Sequence, residues 1–180
     1  MKKLLNTLTI CFAFLMITQT ISFAQTDKIK FDKETYNLHN YTEKPPEYDY
    51  FIKGETPDNW HSKISLSNHT DLTNPTEAAA DLAHKIQEQT SGASVLVYPD
   101  VAMVEYITFP TDRKFYEYNA LIYQPSSNKG LDMFRFAKRF YSDELKGTEE
   151  ARKAAINFAQ ENSVKCMQMV NKLSEKYKVD

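Results

Sequence analysis

Glu105 and Tyr118 are the two side chains in this sequence whose types and spacing best suit acid/base chemistry. They lie in two predicted strands, 101–109 and 115–124, whose connection is short enough for an antiparallel hairpin. The register that we predict places Glu105 opposite Tyr118 on the apolar face of this hairpin. A register slip of one residue would move Glu105 to the solvent-exposed face of the hairpin, so the apolar and the exposed placement of this side chain both stay open. On the apolar face, Glu105 is a candidate acid or base of a small hydrolase or isomerase.

His69 and Asp71 form a second candidate acid/base pair, in a turn that precedes the first predicted helix. Capping of the turn is the favoured interpretation of Asp71, because Asp commonly bonds the backbone there. The histidines do not show the spacing typical of metal ligands, and an exposed charged helix face explains the acids near His84. The sequence also contains neither a serine elbow nor a phosphate-binding glycine loop. We therefore predict no metal and no cofactor, and we favour a function other than catalysis.

Aromatic side chains on the predicted strands suggest binding as an alternative to catalysis. An aromatic groove for a small apolar ligand or a partner segment is one interpretation. Packing of the same rings in the core is the default, since aromatic residues dominate protein cores. The candidate binding residues are Trp60, Glu105, Tyr116, Tyr118, Phe134 and Phe136.

The segment 131–141 is predicted as a strand, although its apolar spacing fits a helix almost as well. As a strand, it presents its phenylalanines on one side and Arg135 and Arg139 on the other. With Lys138, these arginines form a basic patch suited to an acidic partner. A solvated strand face is the favoured interpretation of the patch.

The amino-terminal residues have the organisation of a secretory signal peptide. Lys2 and Lys3 precede an apolar run, Ile10 to Ile17, and the small residue Ala24 precedes Gln25. This pattern predicts cleavage after Ala24 and export to the periplasm or the exterior. The apolar run is shorter than the roughly 20 residues that a membrane span requires, so we predict no span in the mature chain.

The net charge and the cysteine count of the mature chain limit its possible partners and its possible disulfide bonds. The two lysines leave with the signal, which takes the net charge from −2 to −4 and argues against nucleic acid as a partner. Of the two cysteines, Cys11 leaves with the signal and Cys166 remains. No disulfide within the chain is then possible, and Cys166, within an apolar helical stripe, is predicted to be a buried hydrophobic residue.

The predicted organisation is a signal peptide (1–24), a polar arm (25–46) and one domain (47–180). In the domain, further strands are predicted at 48–52, 60–67 and 94–98. The first helix has a complete start signal, with Asn74 at the cap, Pro75 at the first position and Glu77 at the capping-box offset. The second helix is predicted at 149–177.

Strands arranged around two separate helices predict an α+β fold. We expect an antiparallel sheet of about five or six strands, with the two helices packed on one face.

The segment Gly54-Glu55-Thr56-Pro57-Asp58-Asn59-Trp60, followed by a strand and the first helix, resembles small exported bacterial proteins of unknown function with a similar Glu/Trp opening. The resemblance covers about half of the mature chain, and it implies no activity and no catalytic residue. The function we predict is an exported binding or accessory protein that holds an apolar ligand or a protein partner in an aromatic groove or at a sheet edge. A hydrolase or isomerase, or a structural subunit of an envelope assembly, are the alternatives.

Overall fold

The structure, a computed structural model, describes residues 26–43, 46–89 and 93–177. In these ranges, eight strands form one antiparallel sheet and two helices pack on it, which confirms the predicted α+β class. The predicted signal peptide lies outside the described residues. The elements are β1 (Lys28–Phe31), β2 (Glu34–Glu43), β3 (Pro46–Ile52), β4 (Ser62–His69), α1 (Pro75–Gln89), β5 (Ala93–Tyr98), β6 (Val101–Thr108), β7 (Phe115–Pro125), β8 (Leu131–Tyr141) and α2 (Thr148–Lys176).

The sheet contains more strands than predicted, because most of the predicted arm belongs to it. The strand order is β1-β2-β3-β4-β8-β7-β6-β5, so β1 and β2 extend the sheet at one side. Ile29 and Tyr36 lie opposite each other and are buried in the main core. Residues 28–43, which we assigned to a polar arm, form two strands of the sheet. The apolar residues of these strands are separated by polar ones, as expected when one strand face is wet.

The two helices pack on opposite faces of the sheet, contrary to the prediction of one shared face. One face, which we call the α2 face, carries Tyr118, Ile122 and Phe134 against α2. The other, the α1 face, carries alternate residues such as Val104 and Leu121 against α1. Successive side chains of a strand point to opposite faces, so central strands covered on both sides must be apolar at consecutive positions.

The predicted start of α1 is confirmed in detail. The Asn74 side-chain oxygen accepts hydrogen bonds from the backbone amides of Thr76 (2.9 Å) and Glu77 (3.3 Å), which satisfies donors at the open end of the helix. The Asn74 amide donates in turn to the Glu77 carboxylate at 3.2 Å. The prediction of a strand over 131–141 is also confirmed, as β8.

The β6–β7 hairpin forms with a register two residues away from the predicted one. Glu105 pairs with Ala120, and Tyr118 pairs with Ile107, where we had predicted Glu105 opposite Tyr118. An even shift keeps every side chain on its predicted face. Glu105 and Tyr118 therefore do share a face, and it is the face covered by α2.

Candidate functional site

An open groove of about 820 Å³ lies between the β5–β6 edge of the sheet and the carboxyl-terminal half of α2. Its floor and walls are mostly apolar, and its rim on α2 is polar. The volume lies in the range of roughly 300–1,000 Å³ that is typical of ligand sites. The lining residues are Leu96, Tyr98, Val101, Met103, Val164, Met167, Gln168, Asn171, Lys172 and Glu175.

Strand β5 bounds this groove and is the last strand of the sheet on that side, paired with β6 alone among the described strands. Three consecutive residues of β5 are half exposed: Leu96 (49%), Val97 (51%) and Tyr98 (54%). Leu96 and Tyr98 line the groove, whereas Val97 points to the opposite face. An exposed apolar edge strand can pair with a further strand, and monomeric proteins generally protect such edges.

Val164, on α2, is the most exposed large apolar residue of the described chain at 72% and lies on the far wall of the groove. Our sequence reasoning missed the groove, because the apolar run from Val95 to Tyr98 is equally typical of a buried strand. Apolar and polar residues do not alternate in this run, which indicates apolar side chains on both faces of the strand. This pattern does not show whether the strand is central or at an edge of the sheet.

Glu105 lies two residues along β6 from the groove residue Met103, beneath α2. One oxygen of its carboxylate, Oε2, accepts a hydrogen bond from the Ser163 hydroxyl of α2. The other oxygen, Oε1, and the Tyr118 hydroxyl are both buried without a hydrogen-bond partner among the described residues. The Cys166 thiol completes this cluster. Its polar atoms face the α2 interface, and none of its residues lines the groove.

Burial governs the ionisation of the Tyr118 and Cys166 side chains in this cluster. It raises the pKa of Tyr118 well above the usual value, and the nearby Cys166 and Glu105 raise it further. Burial likewise raises the pKa of Cys166 to about 11, and the Tyr118 hydroxyl opposes this rise. The predicted burial of Cys166 is confirmed, since it is 4% exposed. A thiol with this environment is a poor nucleophile at neutral pH.

We expect Cys166 to resist iodoacetamide in the folded protein at pH 8. A pKa of about 11 leaves roughly one thiol in a thousand ionised at this pH, and burial excludes the reagent as well. Mass spectrometry of the Cys166 peptide after labelling, with and without denaturant, measures the effect. Equal labelling rates in the two conditions would contradict the buried placement.

The other aromatic candidates do not meet in one groove. Tyr116, Phe134 and Phe136 are buried on the α2 face, in contact with other core residues. Trp60 lies on the α1 face, in a loop before β4, against Phe51 and Ala137. All of them are less than 10% exposed, so core packing accounts for these side chains and none lines the groove.

The Gly54-to-Trp60 segment is a compact loop that positions the side chains of Glu55 and Trp60. The Asn59 side-chain oxygen accepts hydrogen bonds from the Thr56 amide and hydroxyl, each at 2.8 Å, which closes the loop. Glu55 then reaches His61 Nδ1 at 3.1 Å. Trp60 packs beside the Arg139 guanidinium, whose central carbon lies 3.9 Å from the centroid of the indole.

Three charged residues of β7 and β8 form what we call the arginine network, on the α1 face. Glu117 accepts a hydrogen bond from Arg135 through Oε1 and one from Arg139 through Oε2, the latter at 2.9 Å. Lys138 lies on the other face, with its ammonium 5.1 Å from the Phe158 ring centroid. The predicted basic patch is therefore divided between the two faces, because Lys138 alternates with its neighbours along β8.

His69 and His84, the histidines considered for acid/base and metal chemistry, lie in different elements, β4 and α1. His69 Nε2 lies 2.9 Å from the Ser67 hydroxyl, whereas Asp71 is exposed in the following turn. His84 is exposed on α1. Within the described ranges, no group of three or more His, Cys, Asp or Glu residues is placed to hold a metal ion. No helix of these ranges is both long enough and apolar enough to span a membrane.

The fold and groove define an α+β protein with one antiparallel sheet, a helix on each face and an open edge strand. The chain belongs to an uncharacterised protein family, whose model matches residues 23–174. No curated protein and no solved structure shows a significant match to the chain.

Proposed function

We propose that this is an exported binding protein that holds an extended segment of a partner protein, with apolar side chains at alternate positions, at the free edge of β5. The observation that supports the proposal is the edge itself, where three consecutive apolar side chains are half exposed beside a large groove. Such a segment would add a strand to the sheet, with alternate side chains in the groove.

The exposure of β5 on both faces favours a strand over a small ligand. A molecule bound in the groove would cover Leu96 and Tyr98 but leave Val97 in water. A strand laid along β5 would satisfy the backbone groups of its outer edge and shield apolar side chains on both faces. Backbone pairing would supply affinity, and the groove would select the side chains.

The rim of the groove indicates which side chains the segment carries. Lys172 and Glu175 contribute one charge of each sign, and Gln168 and Asn171 are neutral and polar. A strongly charged segment would gain little from this balance. We therefore propose a segment of alternating apolar and uncharged polar residues.

The export in this proposal is supported by the sequence alone. Lys2 and Lys3 followed by the apolar run Ile10–Ile17 are typical of a signal peptide. A partner would then be met in the periplasm or outside the cell.

A fluorescent hexapeptide of alternating threonine and valine, acetylated and amidated at its ends, tests the proposed site. Fluorescence anisotropy should show saturable binding to the protein. We expect Leu96→Lys and Val97→Lys to weaken binding by at least about tenfold, because each places a charge in the contact. His84→Lys, at an exposed position of α1, is the matched control and should bind as the wild type does.

Two results would contradict strand addition at β5. One is the absence of saturable binding by the wild-type protein. The other is equal binding of a peptide that is N-methylated at every backbone amide, since these groups remove the hydrogen-bond donors from both edges of the peptide. Circular dichroism of both β5 variants checks that they remain folded.

A further inference from the structure

The two edge strands of the sheet, β1 and β5, differ in the features that prevent pairing with another molecule. Natural edge strands are commonly protected by short length, by lysines, by prolines or by bulges. β1 has only four residues, and two of them, Lys28 and Lys30, are exposed and charged. β5 has six residues, Ala93–Tyr98, without a charge or a proline, and its ladder with β6 runs without a bulge. The edge at β1 is therefore protected, whereas the edge at β5 is open to a further strand.

The geometry of β5 allows it to pair with its own copy. A two-fold axis perpendicular to the sheet lays two β5 strands side by side in antiparallel orientation and keeps like faces of the two sheets together. A register centred on Leu96 covers the exposed positions 94 and 96–98, whereas a register centred on Val95 would leave Tyr98 unpaired. The pairs across the axis are then Leu96 with Leu96, Val95 with Val97, and Ser94 with Tyr98. A small side chain thus lies opposite the largest one.

We propose that β5 pairs with β5 of a second copy to form a closed dimer. In such a pair, any charged residue of the strand would approach a like charge, and β5 carries none. Pairing of β5 with β1 of another copy would continue into a filament, but the lysines of β1 oppose it. Association therefore stops at two copies, because the open edge of each is used.

The dimer regulates the binding site on β5, and in this respect the inference rests on the proposed function. Self-pairing and strand addition by a partner use the same backbone edge, so each excludes the other. One pair of short strands buries less than the roughly 1,200 Å² typical of stable interfaces, so we expect a dimer that dissociates on dilution. A partner segment would then displace the second copy by mass action.

Sedimentation velocity of the purified protein tests the dimer. We expect the sedimentation coefficient to rise from the monomer to the dimer value between about 1 µM and about 300 µM protein, the range of a weak interface. Val97→Lys should stay monomeric, because the pair would bring two like charges close to the axis. His84→Lys, at an exposed position of α1, is the matched control and should dimerise as the wild type does. A wild-type protein that stays monomeric, or a Val97→Lys variant that dimerises as the control does, would overturn the proposal.

Disulfide trapping tests the register. Leu96→Cys places two thiols directly across the axis, with Cα atoms about 4.5–5.5 Å apart, within the range of a disulfide. Val97→Cys is the matched control, because Leu96 and Val97 are equally exposed in the single chain (49% and 51%). Its two thiols lie diagonally, with Cα atoms about 7–8 Å apart, too far for an unstrained bond. In a glutathione buffer, Leu96→Cys should cross-link at least about tenfold faster on a non-reducing gel. Equal rates would indicate random collision and would overturn the self-pair.

The threonine and valine hexapeptide separates this inference from the proposed function. Where both hold, saturating peptide should convert the dimer to monomer. Peptide binding by a wild-type protein that stays monomeric at every concentration would overturn the dimer and leave the proposed function. A dimer that forms without any peptide binding would overturn the proposed function and leave the self-pair. A dimer fraction unchanged by saturating peptide would overturn the shared use of the β5 edge.

Discussion

Replacing Glu117 with alanine is expected to lower the free energy of unfolding by about 3 kcal/mol. The substitution removes the one carboxylate that Arg135 and Arg139 share, so that Arg139 loses its hydrogen bond to Glu117 and Arg135 keeps its bond to the neutral Asn119 side chain. Loss of one member of a buried ion pair costs about 3–5 kcal/mol. We expect the lower end of this range, because the side chains of Arg135 (21%) and Arg139 (18%) are less completely buried than that of Glu117.

Urea unfolding followed by circular dichroism measures the effect of this substitution. Glu149→Ala is the matched control, because Glu149 also pairs with an arginine but is exposed on the first turn of α2. Its free energy of unfolding should stay close to that of the wild type, since exposed pairs contribute little. Glu117→Gln should fall between the two, because the amide oxygen can still accept one bond from an arginine. A Glu117→Ala variant as stable as the control would mean that the network contributes nothing to the fold.

Local signals in the sequence were enough to predict several elements. The cap at Asn74 with Pro75 depends on residues within one helical turn, and the structure confirms it. Of the two placements of Glu105 that the sequence left open, the structure has the one on the face shared with Tyr118, because alternation survives a register error of two residues. In each case, the deciding interactions join residues that are close in sequence or follow the period of a strand.

Features that depend on the order of strands in space were not predictable. The consecutive apolar residues from Ala120 to Tyr123 already indicated cover on both faces of β7, but they did not show that α1 supplies one cover and α2 the other. Likewise, nothing near Leu96 in the sequence shows that β5 ends the sheet. The groove, and therefore the proposed binding site, exists because β5 is the edge strand.

The side-chain contacts of the arginine network were likewise not predictable from the sequence. Arg135 and Arg139 were correctly placed on one side of a strand, but a contact between Arg139 and Trp60 joins residues 79 positions apart. The Gly54-to-Trp60 loop has to fold back over β8 before that contact exists. The loop therefore has a structural role, the placement of Trp60 and Glu55, which its residues alone did not reveal.

Gly130→Ala is expected to lower the free energy of unfolding by about 3 kcal/mol or more. Gly130 precedes β8 with a φ of +80°, and a Cβ atom there would lie 2.1 Å from the His69 carbonyl oxygen and 2.6 Å from the Thr70 Cα. Both atoms belong to the backbone at the end of β4, so no side-chain rotation relieves the overlap. The β4–β8 ladder, which joins the two halves of the sheet, would have to shift at this end.

Gly54→Ala separates the two causes of the stability loss expected for Gly130→Ala, which are backbone strain and steric overlap. Gly54 also has a positive φ, +92°, but a Cβ atom there would meet nothing within 4 Å. Its substitution should cost about 1 kcal/mol, from backbone strain alone. The difference between the two variants, measured by urea unfolding under identical conditions, therefore reports the steric contact of Gly130 with β4. If both variants lost the same free energy, the close approach of Gly130 to His69 would be absent from the protein in solution, and the connection between β7 and β8 would follow a different path beside β4.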